Sequence, residues 1–133
     1  MKNCTESKVT KYLNEFNMPV QNLGFNCVRI AIVKVVEDLS YIHEIHKKLY
    51  PYVAKKIGYT SCHNGIGRVI RHSIDIAYVR TPHAFAKLFG HKGRPTNSEF
   101  IARIAEDIKL QNKDEMKGEN KNENRIRIKN DGA

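Results

Sequence analysis

The sequence predicts an all-α domain built around a helix-turn-helix. Two observations carry this. Apolar residues recur at steps of three and four along most of the 133 residues, and no stretch shows the alternation of a strand. Between Lys47 and Arg94 lie ten Lys/Arg and one acid, Asp75, around a pattern of two helices joined by a turn. A positive surface on such a unit suits a nucleic-acid duplex.

Each element follows from local signals. Thr5 is a cap for a first helix in which Val9, Tyr12, Leu13 and Phe16 share a face. Asn17 to Gly24, with Pro19, reads as a loop. A second helix over about Asn26–Leu39 is apolar on more than half its circumference and is the expected central helix. Ser40 caps the next stretch, Tyr41–Ile57, whose apolar line is Ile42, Ile45, Leu49, Val53 and Ile57. Pro51 implies a kink or a break into two helices near Leu49–Pro51. Gly58 is a stop. Tyr59–Asn64 is a polar turn with Thr60, Ser61 and Asn64 as possible caps.

The long helix that follows runs to about Arg80. Its inward stripe is Ile66, Val69, Ile70, Ile74 and Ala77; its outward stripe is Arg68, Arg71, His72 and Asp75. Thr81-Pro82 opens a short helix that Gly90 closes. Thr96-Asn97-Ser98-Glu99 fits a capping box ahead of Phe100, Ile101, Ile104, Ala105 and Ile108. From Gln111 the chain is rich in Asn, Lys and Glu, and the composition predicts disorder. The domain therefore spans 1–110 and the polar tail 111–133.

The charge sits on the body. Residues 1–110 have seventeen basic and nine acidic side chains, net +8, while 111–133 add only +1. A folded body of that sign points to a polyanion. Cys4, Cys27 and Cys62 are odd in number and widely spaced, which fits reduced thiols in the cytoplasm rather than a disulfide framework. No signal-type or membrane-spanning run is present, because Arg29 and Lys34 interrupt the longest apolar stretch. His43 and His46 stand three apart, but nothing at useful spacing completes a metal set, and Asn64-Gly65-Ile66-Gly67 lacks the Lys-Ser/Thr of a phosphate loop. The expectation is no enzyme, no metal and no cofactor.

On a duplex, Asn64 near the helix start can read adenine and Arg68 can pair with guanine. Arg71 and His72, a turn further on, suit phosphates. Lys55 and Lys56 hold the backbone from the preceding helix, and Lys92 and Arg94 extend the footprint. Gly65 and Gly67 oppose this reading: each costs roughly 1 kcal/mol relative to Ala inside a helix.

Four runs carry a family resemblance: Leu49-Tyr50-Pro51-x-x-Ala54-Lys55-Lys56, Ile70-Arg71-His72-x-Ile74-x-x-Ala77, Leu88-Phe89-Gly90 and Pro95-Thr96-Asn97-Ser98-Glu99-Phe100-Ile101-Ala102. The chain resembles, over about residues 8–110, the C-terminal DNA-binding effector domain of the stage-zero sporulation response regulator of endospore-forming bacteria. The resemblance implies a compact six-helix domain with a helix-turn-helix, winged-helix-like without a developed wing. It implies binding to short promoter boxes, often as a tandem dimer, and contact with RNA polymerase sigma factors. Lys47–Ile57 becomes the supporting helix and Asn64–Arg80 the recognition helix. Arg68 matches a family arginine on the DNA box, and Arg71 and His72 match an Arg-His pair at the backbone; Ser61, in the polar turn before the recognition helix, is a further DNA-binding candidate.

The chain also departs from that family. The usual Ser-Arg-Val-Glu-Arg opening of the recognition helix is Asn64-Gly65-Ile66-Gly67-Arg68, so an arginine and a glutamate become Gly65 and Gly67. The turn Gly58–His63 is about two residues longer, and the loop between Gly90 and Pro95 is shorter. Few residues precede Thr5, where members carry a phosphoacceptor receiver domain, so the expectation is either a lone effector-domain paralogue or a fragment, with Met1 and the unusual tail favouring the paralogue. Two functions follow. One is a cytoplasmic, nucleoid-bound transcription regulator on double-stranded DNA. The other is an interaction module that pairs with a full-length regulator or polymerase without reading DNA, motivated by Gly65 and Gly67.

Overall fold

The computed structural model describes residues 2–20, 22–58, 63–90 and 93–131, with side chains over 5–20, 22–58, 65–90 and 93–116. Among them are seven α-helices: α1 (Lys2–Glu15), α2 (Leu23–Glu37), α3 (Ser40–His43), α4 (Tyr50–Ile57), α5 (His63–Arg80), α6 (Pro82–Phe89) and α7 (Asn97–Asp131). No strand occurs among the described residues.

The central helix is α2. It buries Phe25, Cys27, Val28, Ala31, Ile32 and Val35 and packs against α1, α4, α5 and α7. An interior of this kind stabilises by removing apolar area from water, about 25 cal/mol per Å². On one side α4 and α5, the two helices of the helix-turn-helix unit, pack on α2. On the other, Phe16 just past α1, Phe85 of α6 and Phe100 of α7 meet with ring centroids 4.8 to 5.8 Å apart, spacings at which aromatic pairs attract beyond their area. Tyr12 Oη donates to Asp107 Oδ2 at 2.6 Å, tying α1 to α7. Burial and that carboxylate push the phenol pKa up.

Several boundaries differ from the sequence expectation. Thr5 lies inside α1, which begins at Lys2. It ends where Asn17 takes a left-handed φ of 52°, a position Asn tolerates after Gly. The second helix starts at Leu23, three residues early, and ends at Glu37. Ser40 does not cap α3 but is its first residue, following Leu39 at the N-cap position, and the Asp38 carboxylate accepts from the Ser40 amide at 3.0 Å and hydroxyl at 2.7 Å. Those two bonds hold the Asp38 carboxyl below its ordinary pKa.

The predicted break in 41–57 also moves. Glu44 leaves helical geometry (φ −129°, ψ 60°), and Ile45–Leu49 form a π-helical turn running into α4. The Tyr50 amide reaches back five residues to Ile45 O. Pro51, at the start of α4, has no amide and would crowd the carbonyl four residues back. The wider turn ahead of it relieves that crowding. The six expected helices become seven through this division. It also separates His43, on α3, from His46, on the π turn.

Other signals hold. Gly58 ends α4 at φ 86°, and α6 runs from Pro82 to Phe89, with Gly90 as its C-cap at φ 79°. Thr81 precedes Pro82 but does not cap α6. Its hydroxyl donates to Phe16 O at 3.1 Å and Ala77 O at 2.9 Å, anchoring α5 to α1. The capping box forms as expected: the Glu99 amide donates to Thr96 Oγ1 at 3.1 Å and the Thr96 amide to Glu99 Oε1 at 3.4 Å.

Past Gln111 the backbone of α7 is helical as far as Asp131. Lys, Glu, Gln and Met are good helix formers even where few side chains are apolar. Lys8 of α1 binds the first turn past that point, bonding Asn112 and pairing with Glu115 at 2.6 Å.

Candidate nucleic-acid interface

The amphipathic division of α5 creates the surface. Ile66, Ile70, Ile74 and Ala77 are buried, and Val69 is half-buried. At the complementary steps Arg68, Arg71 and His72 are exposed, and Asp75 is partly so. A helix places residues three and four apart on one face, so the three basic side chains form one row. Lys55 and Lys56 are exposed in the last turn of α4, next to α5 in the chain and in contact with it. Lys56 also lies over the Tyr52 ring, 5.8 Å from its centroid.

Two open concavities flank Arg68. One is lined by His46, Tyr50, Gly67, Arg71 and Asn97. The other is lined by Asn22, Leu23, Gly24, His72 and Ser73. Arg68 is thus the ridge between them.

Asn97 fixes the first side. Its amide donates to Tyr50 Oη at 3.0 Å and to Gly67 O at 2.9 Å, joining the start of α7 to both helices of the unit. Tyr50 is buried, which raises its phenol pKa, against a smaller lowering by the Asn97 bond. Gly67 faces that ring: a Cβ on it would sit 3.0 Å from Tyr50 Cε2. A Cβ on Gly65 would meet nothing among the described residues within 4 Å. Both glycines lie within α5, whose helix begins at His63, so the turn before Arg68 is helical. Neither Tyr50 nor Asn97 stands out as a partner in the sequence, because the bond crosses 47 residues.

The remaining candidates divide as follows. Arg94 is bonded to Asp75, so its guanidinium is engaged within the chain at the face where an added phosphate contact was expected. Asp75 is the single acid of the basic segment, and Arg94 offsets it. Asn64 lies in the first turn of α5, and its side chain is outside the described residues, as are Ser61 and Lys92.

Cys27 is fully buried in α2, and burial pushes its thiol pKa up to about 11. Among the described residues no group of three His, Cys, Asp or Glu is placed to hold a metal ion. No described helix is long and apolar enough to cross a membrane.

The exposed basic row, the helix-turn-helix beneath it and the capping-box run that braces it occupy one continuous stretch of chain. Residues 9–108 match the family model for the C-terminal domain of sporulation initiation factor Spo0A. The chain belongs to that family of helical, DNA-binding effector domains of sporulation initiation.

Proposed function

We propose that the chain is a transcription regulator that reads promoter DNA by setting α5 into the major groove. The observation that carries this is the row Arg68, Arg71 and His72, exposed along one face of a helix whose other face is core. Arg68 is the base-reading residue, through a bidentate bond to guanine. Asn64 reads adenine from the turn before it. Arg71 and His72 bind phosphate, and Lys55 and Lys56 hold the backbone at the end of α4. Ser61 and Lys92 extend the same footprint. Arg94 acts by neutralising Asp75, which would otherwise repel the duplex. The regulator acts at the nucleoid in the cytoplasm, as a dimer on DNA and in contact with a sigma factor of RNA polymerase.

The test is a titration of selected and random duplex at two salt concentrations. The parent protein binds with log affinity falling linearly in log salt. Arg68→Ala loses about tenfold more on the selected duplex than on the random one, the lower end of the range for one bidentate pair. Equal losses remove Arg68 from base reading. No binding at micromolar protein favours the second reading, an interaction module that pairs with a full-length regulator or with polymerase. That reading rests on Gly65, where a Cβ would meet nothing among the described residues within 4 Å.

A further inference from the structure

The start of α2 abuts the middle of α5, and Gly24 marks the crossing. A Cβ there would fall 1.6 Å from Ser73 Oγ and 3.0 Å from Val69 O. Beside the crossing opens the concavity lined by Asn22, Leu23, Gly24, Arg68, His72 and Ser73.

Three independent features of that concavity favour an anion. First, α2 is a 15-residue helix whose N-cap, Asn22, makes no side-chain cap bond, and its first turn contains no acid. The amides of a first turn have no partner within the helix and carry its positive partial charge. Second, Ser73 is 1% exposed, and its hydroxyl has no hydrogen-bond partner among the described residues. A buried hydroxyl in that state costs free energy until an acceptor or a bridging water reaches it. Third, Arg68 and His72 form the α5 wall, both exposed. The nearest acid along that wall, Asp75, is bonded to Arg94.

We propose that this niche seats a phosphodiester of the DNA backbone. Its oxygens accept from the amides of Leu23 and Gly24, His72 closes on it from α5, and Ser73 lies at the floor, while the charge of Arg68 on the same wall favours the anion without leaving the base. Helix starts are natural anion sites, and this one lies beside the groove-facing row. The phosphate would fix how deeply and at what angle α5 enters the groove. The inference rests on the DNA-binding reading above.

Leu23→Pro is the direct probe. Proline is accepted at the first helical position, and Asn22 already has the extended backbone (φ −86°, ψ 144°) needed before proline. It removes one amide donor. Asn22→Asp is the second variant: a carboxylate caps the helix and competes with the phosphate. Both are melted to check the fold, then titrated with duplex. The parent protein, labelled with ¹⁵N, is titrated with duplex and with inorganic phosphate.

The expected result is movement of the Leu23 and Gly24 amide signals by duplex. Each variant should then lose about tenfold in duplex affinity, the order of one hydrogen bond to a charged group, with melting unchanged or, for Asn22→Asp, raised. If duplex moves the α5 amides but not these two, and the variants bind like the parent, the niche falls and DNA binding stands. If inorganic phosphate moves them while the variants keep full duplex affinity, the site takes a free anion and the DNA assignment is overturned. If no duplex binds at all, the functional reading falls and takes this inference with it.

Discussion

Gly65 and Gly67 both lie within α5 where the resemblance implies side chains, but the structure gives them different surroundings. Replacing either with Ala improves helix propensity by up to about 1 kcal/mol. At Gly65 the new methyl meets nothing among the described residues within 4 Å, so most of that gain is realised. Gly65→Ala should stabilise by about 0.5–1 kcal/mol, raising Tm by about 2–5 °C for a chain of this size. At Gly67 the methyl meets Tyr50 Cε2 at 3.0 Å. Tyr50 is itself buried and held by Asn97 at 3.0 Å. Moving the ring by a few tenths of an ångström strains that bond, and overpacking of this kind costs about 1–3 kcal/mol. Gly67→Ala should therefore be neutral or destabilising by up to about 2 kcal/mol once propensity is subtracted. Urea unfolding at equal m-value separates the two. If Gly67→Ala proves as stable as Gly65→Ala, the packing account of Gly67 is wrong.

Two further outcomes follow from named contacts. If Arg94 acts by neutralising Asp75, Arg94→Ala should weaken duplex binding several-fold in the parent and barely at all in an Asp75→Asn background. A double-mutant cycle reads the coupling, and equal losses in both backgrounds would make Arg94 a direct phosphate ligand. Cys27, with its thiol pushed up to about 11 by burial, should resist alkylation at pH 8, where on the order of a thousandth is thiolate. Mass spectrometry should find it modified only after urea, and rapid labelling of the native chain would contradict its place in the core.

Most of the architecture was legible because it follows from period and punctuation. The stripe Ile66–Ile70–Ile74–Ala77 is buried as its spacing required, Gly58 and Gly90 close α4 and α6, and Thr96 with Glu99 caps α7. What was not legible depends on residues far apart in sequence or on a competition between local partners. Ser40 looked like a cap, but Asp38 sits two residues earlier and its carboxylate takes the Ser40 amide. Thr81 preceded Pro82 correctly, yet its hydroxyl serves α5 and α1. Pro51 announced a disturbance, whereas the π turn placed it before the proline. At the site, the exposure of Arg68, Arg71 and His72 followed from helical steps. The Arg94–Asp75 bond spans 19 residues, and the meeting of Gly24 with Ser73 spans about fifty; no local pattern reports either.

The long-range contacts also separate two roles that the sequence runs together. Pro95–Ala102 is the most specific run of the resemblance, yet its described side chains act on the protein itself. Thr96 and Glu99 cap α7. Asn97 clamps Tyr50 of α4 to Gly67 of α5. Phe100 completes the ring cluster with Phe16 and Phe85. A helix-turn-helix reads a groove only if its two helices hold a fixed angle, and a clamp from a third helix supplies that constraint. Gly67 then belongs with the clamp, since its missing side chain is what lets Tyr50 and Asn97 close on α5. Of the two glycines, only Gly65 has no described neighbour within 4 Å of a Cβ placed on it. On the proposed reading, the departure from the resemblance's Ser-Arg-Val-Glu-Arg opening therefore concentrates at one position, where a Cβ would meet nothing among the described residues within 4 Å.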